Sequence, residues 1–315
     1  MKKIIALLLI SLMLCLTACS SDTEGETTAV PDTATTAPVS TVPVVREGFE
    51  FTKENYPKMG GSLAALPLGE AVTATVLGIS REEANGMIVF EGSTTDNYVA
   101  LVDGEFDILL AYEPSAEAIA YAKEKGVELE MTAIGADALA FICSTENNVN
   151  SLTVDQIKGI YKGEITEWNE VGGTGGSIIA YQRNKDSGSQ TLFDKLVNLG
   201  EDLMTPPVEQ QIDSMIGLLE AVANYDNSKD ALGYTVYYYL TNMEKDKLET
   251  SKILAVDGVA PTNETIASGE YPFVNDFYVV IPKGLPDDAP EKILYDWICS
   301  AQGKQLVENE NYVAK

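Results

Sequence analysis

The apolar positions of this chain follow two periods. From Phe49 onward, short apolar or alternating runs take turns with longer stretches in which apolar residues recur every three or four positions, the marks of strands and of amphipathic helices. Helices are predicted over 62–77, 95–102, 115–125 closed by Gly126, 153–161 opened by a Thr153/Gln156 capping box, 190–199 stopping at Gly200, and 215–223. A last one is predicted over 290–301, with Trp297 and Cys299 on one face. Strands are predicted over 87–90, 106–111, 129–132, 138–143, 177–182, 234–240, 253–256 and 277–281. This α/β order predicts mostly parallel pairing. The aromatic run Tyr237-Tyr238-Tyr239 reads better as a buried strand facing a helix than as a sugar platform, and Trp168 reads as packing within the second half of the chain.

The first residues stand apart from this pattern. Lys2 and Lys3 precede an apolar stretch over 4–14, which ends at Leu16-Thr17-Ala18-Cys19. That is the layout of an export signal over 1–18, with a small residue ahead of a cysteine as in a bacterial lipobox, so Cys19 is the expected lipidation site and membrane anchor; plain secretion is the alternative. Residues 19–46 are rich in Thr, Ser, Ala and Pro, with little to bury, and are expected to be a disordered tether.

The body is long enough for two lobes: 315 residues, 45% hydrophobic and 22% charged. Its formal net charge is −27, and loss of Lys2 and Lys3 with the leader takes it two units lower, to −29. Such a charge argues against nucleic acid and against anionic lipid surfaces as partners, and it repels free anions at long range. An anion site here must rest on local dipoles and hydrogen bonds. With Cys15 in the leader and Cys19 acylated, Cys143 and Cys299 remain, either as two buried thiols or as one bridge.

Three junctions carry candidate chemistry. Arg183 ends a strand, and Ser187-Gly188-Ser189 then opens a helix. Exposed N–H groups at a helix start, serine hydroxyls and a planar guanidinium together suit an oxyanion, whereas a plain capped helix with a surface arginine is the ordinary reading. Gly60-Gly61-Ser62 and Gly92-Ser93-Thr94-Thr95 are built the same way. Three such turns divided between two lobes suggest a dry cleft around a small tetrahedral anion.

At this point the chain resembles the phosphate-binding proteins of ABC importers, within the type II periplasmic-binding fold and especially the lipoproteins of Gram-positive type. The resemblance covers about Asn55 to the C-terminus and is carried by Tyr56-Pro57 through Gly61-Ser62, Phe106-Asp107 to Glu113-Pro114-Ser115, Leu152-Thr153-Val154-Asp155-Gln156-Ile157, the stretch Gly163 to Gly173 around Thr166-Glu167-Trp168-Asn169, and Arg183 to Thr191. It implies two lobes, each a mixed, mostly parallel sheet flanked by helices, with a hinge between: 47–137 plus about 270–315, and 138–269. It implies phosphate contacts from Ser62 and the amide of Leu63, from Ser93 and Thr94, and from Arg183, Ser187, Gly188 and Ser189. Where relatives often carry Asp-Gly-Ser-Thr, this chain has Gly60-Gly61-Ser62-Leu63, one threonine hydroxyl fewer. The family's carboxylate that accepts a proton held by phosphate would be Glu113, which reads equally well as a solvated glutamate before the Pro114-Ser115 helix start.

The chain has no histidine, which removes Ser-His-Asp arrangements and the commonest metal ligand, and its cysteines lack metal spacing. No catalytic residue, cofactor or metal is expected. The resemblance implies a monomeric, non-enzymatic protein, anchored by lipid at the extracellular face of the cell membrane, that delivers inorganic phosphate to permease subunits with a cytoplasmic ATPase. A binder of sulfate, molybdate or phosphonate, a secreted hydrolase acting through paired carboxylates, and a non-transporting sensor or adhesion lipoprotein are the alternatives.

Overall fold

The computed structural model describes residues 42–174, 176–224 and 228–315; the export signal, Cys19 and most of the tether lie outside them. The part of the tether within reach is not loose, because Val45 already packs against the core and Arg46 bridges to Phe49. Among the described residues no helix is long and apolar enough to cross a membrane.

Six strands lie edge to edge in the order Met59–Gly61 (β1), Ile108–Tyr112 (β2), Val274–Pro282, Leu129–Ser144, Ala231–Val236 and Ile179–Ala180. We number the third in chain order, Leu129–Ser144, as β3, then Ala231–Val236 as β4 and Val274–Pro282 as β5. β3 spans both halves of the fold. Its residues 129–138 pair with β5, and 139–143 pair with β4. The sheet is mixed. β1 runs parallel to β2, and Ile179–Ala180 parallel to β4, but β5 is antiparallel to both β2 and β3, and β3 is antiparallel to β4. The alternation of helices and strands predicts mostly parallel pairing; the departure arises because the chain leaves the first lobe along β3 and returns to it along β5, in the opposite direction.

The long strand unites two predicted ones, 129–132 and 138–143, since Ile134 through Ser144 is buried throughout and offers no solvated break. The predicted strand 234–240 stops at Val236; Tyr239–Met243 forms a π-helix, and Tyr238 stacks on Tyr312 with ring centroids 3.5 Å apart. Met87–Phe90 is reduced to one bridge, Gly60 to Val89. The last helix ends at Ile298, and a second, Ala301–Asn309, starts from a Ser300 cap. Cys299 is therefore exposed at a helix end rather than buried beside Trp297, while Cys143 is buried; both are free thiols.

Trp168 is fully buried and its indole N–H donates to the carbonyl of Asp230. We propose the lobe boundaries 47–137 with about 270–315, and 138–269, on the change of β3 pairing partner at Ala138–Leu139.

A buried carboxylate marks that crossing. Asp137 accepts from the Tyr112 hydroxyl at 2.7 Å, from the backbone N–H of Ala138 at 2.7 Å and from that of Tyr238 at 3.0 Å. These donors come from the end of β2, from β3 itself and from the segment leaving β4. Burial pushes the Asp137 carboxyl up to about 6, against the pull of all three donors. Since the folded-state value lies above the unfolded one, its contribution favours folding below about pH 4 and is lost as pH rises through about 6. Asp137→Asn should therefore gain stability relative to the parent over that interval, by about 2 to 3 kcal/mol for a shift of this size, and parallel unfolding curves for the two proteins from pH 4 to 7.5 would contradict the assignment.

Candidate anion-binding cleft

The first wall of the cleft grows from the ends of β1 and β2. Gly61 must be glycine, because a Cβ there would sit 2.0 Å from the carbonyl oxygen of Leu110. That close approach aligns Ser62, whose N–H donates to Leu110 and whose Oγ accepts from the backbone N–H of Tyr112 at 3.2 Å. Ser62 Oγ also lies 3.0 Å from Thr94 Oγ1. Thr94 is the first residue of the helix Thr94–Val102 (α1), which Ser93 and Asp96 close with a reciprocal capping box. Asn97, in the next turn, donates to the carbonyls of Gly61, Glu91 and Ser93 and so locks the two junctions together.

The second wall is centred on Arg183, 7% exposed. Its backbone N–H donates to Tyr234 Oη at 3.0 Å and to Gln190 Oε1 at 3.2 Å, which fixes the strand end. The guanidinium donates from Nε to the carbonyl of Ile212, from Nη2 to the carbonyl of Asp213 and from Nη1 to Ser189 Oγ, at 3.0, 3.0 and 3.1 Å. All three acceptors are neutral, and among the described residues the group enters no ion pair. Burial pulls its pKa down, the expected sign for a cation deprived of water. The helix Gly188–Val197 (α2) begins beside it, capped by Ser187 Oγ, which accepts from the N–H of Gln190 at 3.1 Å.

The two walls meet. A Cβ on Gly188 would lie 2.5 Å from Thr94 Oγ1, so the start of α2 in one lobe abuts the start of α1 in the other. Between them is a cavity of about 380 Å³ that Ser62, Leu63, Ser93, Thr94, Arg183, Ser187, Gly188 and Ser189 all line. The sequence-derived set is thus brought together, with one exception. Glu113 is not part of the lining; its Oε1 accepts from Tyr278 Oη at 3.0 Å and pairs with Lys195 Nζ at 2.5 Å. The cavity lining thus leaves out this one sequence-predicted residue.

Sequence reading missed a fourth junction. Ser214 Oγ accepts from the N–H of Gly217 at 3.0 Å and caps the helix Met215–Asn224, and Asp213, Ser214 and Met215 line the same cavity. It has the same strand-to-helix logic as the others, but no glycine adjoins the serine to mark it. Tyr112, Asn184, Asp96 and Asp186 complete much of the remaining wall. Two of these, Asn184 and Asp186, lie inside the arginine motif. The arrangement has donors in excess of carboxylates near one buried cation, with helix starts carrying partial positive charge on both sides.

Residues 54–298 match the model of the PBP superfamily domain. The chain is 27% identical over 187 residues to the phosphate-binding protein PstS of Borreliella burgdorferi, covering 58% of this chain and 64% of that protein. It is 26% identical over 231 residues to the PstS of Staphylococcus haemolyticus, covering 71% and 70%. A Clostridium perfringens structure described as a phosphate ABC transporter substrate-binding protein with bound phosphate superposes with a TM-score of 0.66 at 24% identity, over 83% of this chain and all of that one. The last likeness establishes the fold, and the superfamily match spans most of the chain: this chain belongs to the PBP superfamily, with the two-lobed type II architecture.

Proposed function

We propose that this chain captures inorganic phosphate between its lobes and delivers it to an ABC importer, as a non-enzymatic, lipid-anchored binding protein at the outer face of the membrane. The observation that carries the reading is the Arg183 guanidinium, buried, bonded to neutral oxygens alone and facing a cavity rimmed by helix starts. A buried cation without a counterion is costly, and an oxyanion in the cavity supplies the missing charge. Ser62, Thr94, Ser187 and Ser189 add hydroxyls, with N–H groups near Leu63, Thr94, Gly188 and Ser189. Ser93 is committed to Asp96 through its hydroxyl and contributes through the cap. The names of the PstS relatives support phosphate as the anion. So does the presence of Asp96, Asp186 and Asp213 in the lining: carboxylates accept from an anion that keeps a proton near neutral pH and repel one that has none.

A thermal-shift panel of phosphate, sulfate, molybdate and a phosphonate should show phosphate raising the melting point most, with a stabilisation of about 2.7 kcal/mol at a hundred times the dissociation constant. An equal response to sulfate would move the assignment to another oxyanion, and turnover of a phosphate ester would favour a hydrolase. Arg183→Ala should weaken phosphate binding in calorimetry on the order of 100-fold or more, since a charged donor to a multivalent anion is lost. Gly188→Ala should weaken it on the order of tenfold by wedging the lobes apart at Thr94, and wild-type affinity in that variant would show that the abutting helix starts do not matter for capture.

A further inference from the structure

We propose that Glu113 and Glu117 of the first lobe and Lys195 and Lys185 of the second form an electrostatic clasp that holds the cleft shut, and that Glu113 governs affinity through closure instead of through contact with the anion. Lys195 Nζ stands 2.5 Å from Glu113 Oε1, and Lys185 Nζ stands 3.5 Å from Glu117 Oε2. Among the described residues these are the two ion pairs that join one lobe to the other. None of the four residues lines the cavity.

Their placement follows from elements already fixed by the site. Glu113 directly follows Tyr112, the last residue of β2, whose N–H donates to Ser62 Oγ. Glu117 lies in the first turn of the helix Ala116–Lys125, capped by Ser115, which in turn accepts from Thr95 Oγ1 at 2.9 Å. On the opposite side, Lys185 sits in the loop between Arg183 and α2, while Lys195 sits on α2 itself, roughly 10 Å along the axis from Gly188 at 1.5 Å per residue. Both pairs thus flank the wall where α1 meets α2. Tyr278 braces the inner pair by donating to the same Glu113 oxygen.

The charge pattern gives the pairs a purpose. With 48 acidic and 21 basic residues, closing the lobes brings two acidic bodies together, which long-range repulsion opposes. Both acids of the clasp belong to one lobe and both bases to the other, so local attraction acts only on closure. The inner pair carries most of it: Glu113 is 25% and Lys195 48% exposed, against 63% and 79% for Glu117 and Lys185, and exposed pairs are heavily screened. Relative to a cleft without it, the clasp lowers the population of open molecules before any anion arrives, and apparent affinity rises in proportion.

This inference rests on the phosphate reading for its binding readout, but closure can be measured without a ligand. Glu113→Lys, Lys195→Glu and the double exchange are compared by calorimetry with phosphate and by small-angle scattering in anion-free buffer, in low salt and at high salt. Each single exchange should weaken phosphate binding about three- to tenfold in low salt and enlarge the anion-free radius of gyration, and the double exchange should restore both towards the parent. High salt should shrink the penalties. Glu113→Gln and Lys195→Gln, checked for unchanged melting behaviour, should give smaller losses of equal size. Failure of the double exchange to restore affinity, with Glu113→Gln far more damaging than Lys195→Gln, would overturn the clasp and return Glu113 to the anion. If the parent itself does not bind phosphate, the ligand reading fails, while scattering still decides the clasp.

Discussion

Asp137 ties together the segments that decide where the two lobes stand. Its three donors belong to the wall of the cleft, to the long strand that runs through both half-sheets and to the chain leaving β4. A carboxylate buried without a cation is unfavourable on its own, and full satisfaction by hydrogen bonds is what makes it tolerable. The same satisfaction demands that Tyr112, Ala138 and Tyr238 keep their mutual positions. Tyr112 in turn orients Ser62 through its N–H, so the crossing and the first wall of the site form one rigid unit.

From that unit the remaining geometry follows. β3 carries the chain into the second half-sheet, where β4 presents Tyr234 to the backbone of Arg183. The strand end, the serine turn and α2 are thereby aimed back at the first lobe. Helix starts from both sides then surround a small volume whose one buried cation lacks a counterion. Long-range repulsion from the acidic surface is weak within this volume, because screening at physiological ionic strength acts over about 8 Å. Charge-assisted hydrogen bonds at about 3 Å, each contributing about 1.5 to 3 kcal/mol, dominate there. A strongly acidic protein can capture an anion on these terms, and the negative surface costs it association rate more than affinity.

The cavity and the proposed clasp use different residues. Arg183, Ser189, Ser62 and Thr94 face the cavity, whereas Glu113 and Lys195 meet beside it. The junction of Thr94 with Gly188 joins the two tasks, since it exists only when the helix starts approach. Separation of this kind lets affinity be set by the open-to-closed balance without altering the contacts that select the ligand.

Local sequence determined much of this by itself. Capping residues at Ser93, Ser115, Thr153 and Ser187 marked helix starts because a short side-chain acceptor next to an apolar period has few other uses. The arginine-to-serine motif disclosed the second wall, and the composition excluded histidine chemistry. Tertiary structure alone decided the rest. The antiparallel return of β5, the union of two strands into β3 and the π-helix after Val236 depend on what each segment meets, which no local period encodes. Ser214 stayed hidden because no glycine adjoins its cap, and the ion pair of Glu113 stayed hidden because the nearest cation to a carboxylate is set by the tertiary structure. That cation, Lys195, is 82 residues away in the chain and becomes its neighbour only when the lobes face each other.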